Sequence, residues 1–104
     1  MKEANIQNAI RLAAVKHACF LLRNNVGMLQ DRNGQYVRYG LSTGSSDLIG
    51  WTMRNKIAVF TAVEVKRPGK QPTPEQVRFL EAVKVAGGIA LCVHSVEEFE
   101  EGMR

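Results

Sequence analysis

The sequence predicts a single α/β domain over residues 1–104, a mixed central β-sheet flanked by helices, in the order α-β-β-β-α-β-α. Three observations predict it. A chain of 104 residues has room for roughly one helix-on-sheet layer pair around one core. The run Lys56–Lys66 is largely apolar and carries β-branched Ile57, Val59, Val63 and Val65, as a central strand does. Helical and strand-like segments are interleaved with no repeat, linker or low-complexity stretch between them.

The first element is expected to be a helix over residues 3–23. Ile6, Ile10, Ala13, Ala14, His17, Cys19, Phe20 and Leu21 approximate a 3.6-residue period, with no Pro or Gly inside. Asn24-Asn25 would end it, because Asn tolerates the left-handed C-cap conformation. Val26–Gln30 and Gln35–Tyr39 flank Asp31-Arg32-Asn33-Gly34, a hairpin signal. A polar loop, Gly40–Ser46, leads into an apolar strand beginning Asp47-Leu48-Ile49-Gly50-Trp51. After Lys56–Lys66, Pro68-Gly69-Lys70-Gln71-Pro72 breaks the chain. Thr73 then reads as an N-cap, with Pro74 at N1 and Gln76 at N3, for a helix reaching about Ala86. Gly87-Gly88 closes it, Ile89–His94 is a short buried strand, and Ser95 with Glu98 forms a capping box for a last short helix.

Composition narrows the function classes. The chain is 45% hydrophobic and 23% charged, values of a folded globule and not of a disordered chain. No apolar run reaches the ~20 residues of a bilayer span, and MKEANIQ carries no signal-peptide core, so the expected location is the cytoplasm. Cys19 and Cys92 are lone cysteines outside any C-x-x-C pair, read as small hydrophobes. The net charge of +4 is uneven: +3 over residues 1–52, +4 over 53–72 and −3 over 73–104. The basic part suits a polyanionic partner.

That basic part also holds the candidate chemistry. Residues i and i+2 of a strand share a face, so Glu64 and Lys66 point one way and Val65 the other. Asp47, opening a neighbouring strand, can join them. Two carboxylates on one sheet face are costly unless charge compensates. A divalent cation would do so, held by Asp47, Glu64 and a backbone carbonyl such as that of Val65, with room for water and a phosphate oxygen. Lys66 could then orient or help deprotonate the attacking water, or neutralise developing charge.

Gly44-Ser45-Ser46-Asp47-Leu48-Ile49-Gly50, then Glu64-Val65-Lys66, then Gln76 resembles the VRR-NUC (virus-type replication-repair nuclease) domain of the PD-(D/E)xK nuclease superfamily. The likeness covers nearly the whole chain, including Glu3 and Gln7 in the first helix and the final Ser-Val-Glu-Glu stretch. Where the superfamily's name has Pro before Asp, this chain has Ser46.

The resemblance implies a restriction-endonuclease-like fold and a Mg²⁺- or Mn²⁺-dependent endonuclease acting on DNA. It maps metal ligation onto Asp47, Glu64 and the Val65 carbonyl, with Glu3 as a further candidate ligand, and the catalytic lysine onto Lys66. It turns Gln76 into the site, towards a metal water or Lys66; as the N3 partner of Thr73, Gln76 would instead serve a capping box. Stand-alone domains of this kind resemble Holliday junction resolvases, so a homodimer acting on branched or four-way-junction DNA is expected, of phage type and working in the bacterial host cytoplasm. Alternatives are a non-cleaving branched-DNA-binding module of a phage replication or repair assembly, and a restriction-type endonuclease of duplex DNA.

Expected nucleic-acid contacts are Ser45, Ser46, Arg38, Arg54, Lys56, Arg67 and Lys70, with Arg32 a further candidate. Tyr36, Tyr39 and Trp51 read as packing residues. His17 reads as a hydrogen-bonded core or dimer residue, and His94 as a residue within possible reach of the site.

Overall fold

A computed structural model describes residues 2–104. Helix α1 covers Glu3–Ala14, and one 3-10 turn covers Val15–His17. Strands β1 (Cys19–Arg23), β2 (Gly27–Gln30), β3 (Tyr36–Tyr39), β4 (Leu48–Arg54) and β5 (Ile57–Val65) follow. Helix α2 (Pro74–Val85), strand β6 (Ile89–Val93) and helix α3 (Val96–Met103) complete the chain.

Five strands precede α2, where the expected order counts three and the expected strand segments number four. The hairpin β2–β3 and the pair β4–β5 make four, and β1 takes residues expected to be helical. The helix predicted over 3–23 stops at Ala14 because Ala18 adopts a left-handed conformation, φ 55°, that no helix continues through. The next residues then gain more as a strand. Cys19 and Leu21 turn into the core while Phe20 and Leu22 turn out, and all five residues pair with β4, from Cys19 opposite Thr52 to Arg23 opposite Leu48. Apolar residues on both faces of a strand imitate a helical stripe, and tertiary pairing decides between them.

The main sheet is mixed, in the order β1-β4-β5-β6, with β1–β4 and β4–β5 antiparallel and β5–β6 parallel. Helix α2 is the crossover that the parallel pair requires. The hairpin forms a separate two-stranded sheet. Its turn is an Asx turn: Asp31 Oδ1 accepts the Asn33 and Gln35 amides, and Gly34 takes φ 81°.

Alternation along β5 divides the interior. Val63 and Val65 enter the larger core with Ile6, Ile10 and Ala14 of α1, Leu48, Val93, and Phe99 and Met103 of α3. Ala62 enters a smaller core with Leu80 and Val83 of α2 and Ala90. Helices therefore cover both faces at the β5–β6 side, and Glu64 projects with Ala62 towards the α2 side. His17 Nε2 lies 3.2 Å from Glu100 Oε2 and meets the Phe99 ring edge-on, tying the 3-10 turn after α1 to α3 as a hydrogen-bonded packing residue. Cys19 is fully buried and Cys92 half-buried, both as free thiols; burial raises both pKa values.

Candidate active site

Glu64 is the anchor of the site. It sits near the end of β5, opposite Cys92 of β6 and one residue past the last pair with β4, Leu48 opposite Val63, and its side chain is only 1% exposed. Lys66 follows just past the strand on the same face. Its Nζ lies 3.4 Å from Glu64 Oε2, so the i, i+2 reading holds in three dimensions. The Lys66 amide donates to the Val93 carbonyl at 2.9 Å, extending the parallel ladder by one bond and fixing where the lysine starts.

Asp47 comes in from the residue before β4. Its Oδ2 accepts the Val65 amide at 2.9 Å, which holds the carboxylate against the end of β5. This bond uses the N–H between Glu64 and Lys66. Burial first, and then the Asp47 carboxylate through its charge and a shared hydrogen bond, push the Glu64 carboxyl up to about 8, with Lys66 pulling the other way. At neutral pH, without a metal, Glu64 keeps its proton. Glu64 Oε1 is buried and has no hydrogen-bond partner. A buried carboxylate oxygen without a donor is costly, and a cation or a proton is what relieves it.

The donor set fits a hard divalent cation to that extent. Two close carboxylates with one orphaned oxygen suit Mg²⁺-like ions, which take one or two carboxylates and keep water. Among the described residues no three His, Cys, Asp or Glu side chains converge as a ready cage. Glu3 is therefore not brought together with Asp47 and Glu64 as a third ligand. Its Oε2 accepts the Arg67 amide at 3.1 Å, so it pins the chain just beyond Lys66 to the start of α1.

The loop that delivers Asp47 departs most from expectation. Ser45 is 7% and Ser46 1% exposed, and both hydroxyls are committed: Ser45 Oγ accepts Asn24 Nδ2 at 2.8 Å, and Ser46 Oγ donates to the Leu48 carbonyl at 2.8 Å. Buried and engaged inward, they hold the loop and do not present themselves to nucleic acid. The organiser is Asn24, expected only to end a helix. Its Nδ2 also donates to the Ser46 carbonyl at 2.9 Å, and its amide donates to the Asp47 carbonyl at 2.7 Å. An Asn at the end of a strand carries the donors such a loop needs, but no spacing rule singles it out. Gly44 sits at φ 89°, and a Cβ there would fall 2.7 Å from Glu75 Cβ, so only glycine lets the loop close against the first turn of α2.

Gln76 occupies that first turn as a capping partner. Its Oε1 accepts the Thr73 amide at 2.8 Å, and Thr73 Oγ1 accepts the Gln76 amide at 3.2 Å. The side-chain oxygen is thus spent on the helix end and not on Lys66, the reverse of the site role implied by resemblance. Glu98 also departs from the expected box. Ser95 Oγ accepts the Glu98 amide, but the Glu98 carboxylate reaches back to the amide and Nδ1 of His94. His94 Nε2 lies 2.9 Å from the Lys70 carbonyl. That bond and Glu98 raise its pKa. His94 thereby fastens the Lys70 loop to α3 and does not enter the site.

The basic residues divide between two ends of the sheet. Arg67 and Lys70 are exposed in the loop directly after Lys66. Arg38 donates to Thr43 Oγ1 at 2.6 Å, so it flanks the loop leading to Asp47. Arg54 closes β4, seven residues from Asp47, and Lys56 sits in the β4–β5 turn at φ 66°. At about 3.3 Å per residue, these two lie roughly 20 Å or more from the carboxylates. They do not belong to the surroundings of the site, because an antiparallel pair puts its turn at the end opposite its termini. Arg32 sits in the tip of the hairpin, in a separate sheet.

A mixed sheet flanked by helices, carrying an Asp before one strand and a Glu-x-Lys at the end of the next, defines a restriction-endonuclease-like nuclease domain. The family model "VRR-NUC domain" matches residues 1–97, and the chain belongs to that family. Membership implies a nuclease role with DNA as substrate, and nucleases of the PD-(D/E)xK type generally use divalent metals. No curated protein and no solved structure matches the chain significantly. No helix of the described residues is long and apolar enough to cross a membrane.

Proposed function

We propose that the protein is a Mg²⁺- or Mn²⁺-dependent endodeoxyribonuclease that hydrolyses phosphodiester bonds in branched DNA, with Holliday-junction-like substrates foremost. The observation that carries the reading is the buried Glu64, with one oxygen orphaned, between Asp47 and Lys66. A pure DNA-binding surface gains nothing from two carboxylates facing a polyanion, whereas a metal-assisted hydrolase needs them.

Asp47, Glu64 and the Val65 carbonyl would hold the cation, which when bound supplies positive charge against the phosphoryl oxygens and makes water a better nucleophile. Lys66 places an ammonium at the same face, where it offsets developing negative charge and orients the attacking water. The Nε2 of Gln76, the part of the side chain not used by the cap, is a donor and would serve a metal-bound water or a phosphate oxygen, not the Lys66 ammonium. Arg67, Lys70 and Arg38 surround this end of the sheet and would draw in and position phosphates.

Coordinated incision of a four-way junction needs two sites, and one 104-residue domain supplies one. Two-fold pairing is the commonest way to obtain the second. The reading therefore includes a homodimer, a phage-type origin and work in the host cytoplasm.

The test is cleavage of four-way junctions, flaps and linear duplex in Mg²⁺. The parent chain is expected to cut the branched substrates, and Asp47→Ala to lose cutting by at least ~1000-fold while retaining junction binding in Ca²⁺. Binding without incision on any branched substrate would favour the non-cleaving module. Discrete products from linear duplex would favour the restriction-type enzyme.

A further inference from the structure

The β1–β4 part of the sheet is bare on the side facing away from the larger core. Helix α2 packs its apolar residues over Ala62 and Ala90 of β5 and β6 and leaves the neighbouring strands uncovered. Across those strands Phe20, Trp51 and Phe60 stand in one register row, Phe20 opposite Trp51 and Trp51 opposite Phe60. Their relative exposures are 42%, 40% and 44%, and the Phe20 and Trp51 ring centroids are 5.7 Å apart. Leu22 and Met53, 56% and 48% exposed, continue the same face on either side of the row.

We propose that this face is the docking surface for a second copy of the chain, with the Phe20–Trp51–Phe60 row at its centre. The proposal rests on the paired-subunit reading above for the number of copies, and deepens it by assigning the surface.

Three features point to a second copy. The first is area. At roughly 150–250 Å² per aromatic side chain, the row leaves about 250 Å² exposed. Leu22 and Met53, 56% and 48% exposed on the same face, bring its apolar total to about 450 Å². That is the size of the largest, often functional patch on a monomer, and with Leu12 on the wall of the adjoining groove it supplies more than half of the ~800 Å² per partner of a standard interface. The second is charge. No formal charge stands among Phe20, Leu22, Ile49, Trp51, Met53 and Phe60. A two-fold contact sets each patch against itself, and an uncharged patch meets itself without like-charge repulsion, whereas DNA finds nothing here to hold.

The third is relief. A groove of about 640 Å³ runs along one flank of the row, between α1 and β1, and one of about 470 Å³ along the other, between β5 and the end of α2. A ridge between two grooves can interlock with its own two-fold copy. Edge-to-edge joining through β1 is disfavoured, because Arg11 Nε already donates to the Leu21 carbonyl on the free edge at 3.2 Å. The contact is therefore face to face. Trp51 lies four residues along β4 from Asp47, about 13 Å, so the interface adjoins the site without including its carboxylates.

Trp51 is the only tryptophan, so its emission reports on this face alone. Sedimentation of the full chain between about 1 and 100 µM is expected to show a dimer, with Trp51 emission moving to longer wavelength as dilution dissociates it. Phe20→Glu is expected to weaken dimerisation by ~100-fold or more with an unchanged far-UV spectrum. Leu22→Glu with Met53→Lys, at more exposed positions, tests the same surface if Phe20→Glu misfolds. A parent chain monomeric at 100 µM overturns the proposal, as does a folded variant that stays fully dimeric, or a dimer whose dissociation leaves the Trp51 emission unmoved. A dimer that cuts no DNA overturns the nuclease reading alone, a dimer that cuts but is indifferent to Phe20→Glu overturns this one alone, and a monomer that cuts overturns the paired-subunit reading and this one together.

Discussion

Replacing Glu64 by Gln should flatten the dependence of folding stability on pH, and the size of the effect follows from the structure. The Glu64 carboxyl stands near 8 in the folded, metal-free chain against 4.5 for an ordinary glutamate. The folded chain therefore keeps a proton over a range where the unfolded chain has released it. A raised folded value means that the associated stability is complete below pH ~4.5 and declines as pH rises, until the folded group also ionises near 8. Each pH unit inside that window costs about 1.4 kcal/mol. Between pH 5 and 8.5 the parent should lose on the order of 4 kcal/mol, a large part of the 5–15 kcal/mol typical of a small domain. Gln is close in size to the protonated Glu and cannot ionise, so Glu64→Gln should lose almost none of it while cutting no DNA. The assay is urea unfolding in EDTA at pH 5 and 8.5 for both proteins. A parent whose stability is the same at both values would refute the raised Glu64 carboxyl. So would a Gln variant as pH-sensitive as the parent.

Asn24→Ala removes the two side-chain donors that hold the Ser45–Ser46 loop, and should cost about 1–3 kcal/mol in urea unfolding. Cleavage should fall by at least ~10-fold, because Asp47 follows that loop. Removing Arg67 and Lys70 together should lower the salt dependence of DNA binding by up to roughly two phosphate contacts, read as the slope of log affinity against log salt. The same change at Arg54 and Lys56, at the other end of the sheet, should leave that slope unchanged on a junction with short arms.

What was legible in the sequence was local chemistry. Lys56–Lys66 could be read because a β-branched, largely apolar run suits a strand covered on both sides, and the structure keeps all but its two end residues in β5. The start of α2 could be read because Thr73, Pro74 and Gln76 interact within one turn. Glu64 and Lys66 could be placed together because strand alternation is a property of the backbone. The segment 15–23 failed because its identity is decided elsewhere. Cys19–Arg23 is a strand only when β4 lies beside it, and β4 is more than twenty residues downstream.

The same distinction runs through the site. Carboxylates that do chemistry announce themselves by type and spacing, while the groups that hold them in place do so only through contacts between distant residues. Asn24 reaches Ser45, Ser46 and Asp47 from the far end of β1, and Glu3 meets Arg67 across 64 positions of sequence. Gln76 shows the converse. Its spacing from Thr73 and its family position suggested two different jobs, and its oxygen can do only one of them at a time. The cap holds it here because that bond closes within a single helical turn, at little further cost in chain entropy, whereas a bond to Lys66 must span two elements. A short-range bond of this kind persists unless the site offers the amide something stronger, and a charged, solvent-excluded substrate complex is the setting in which it would.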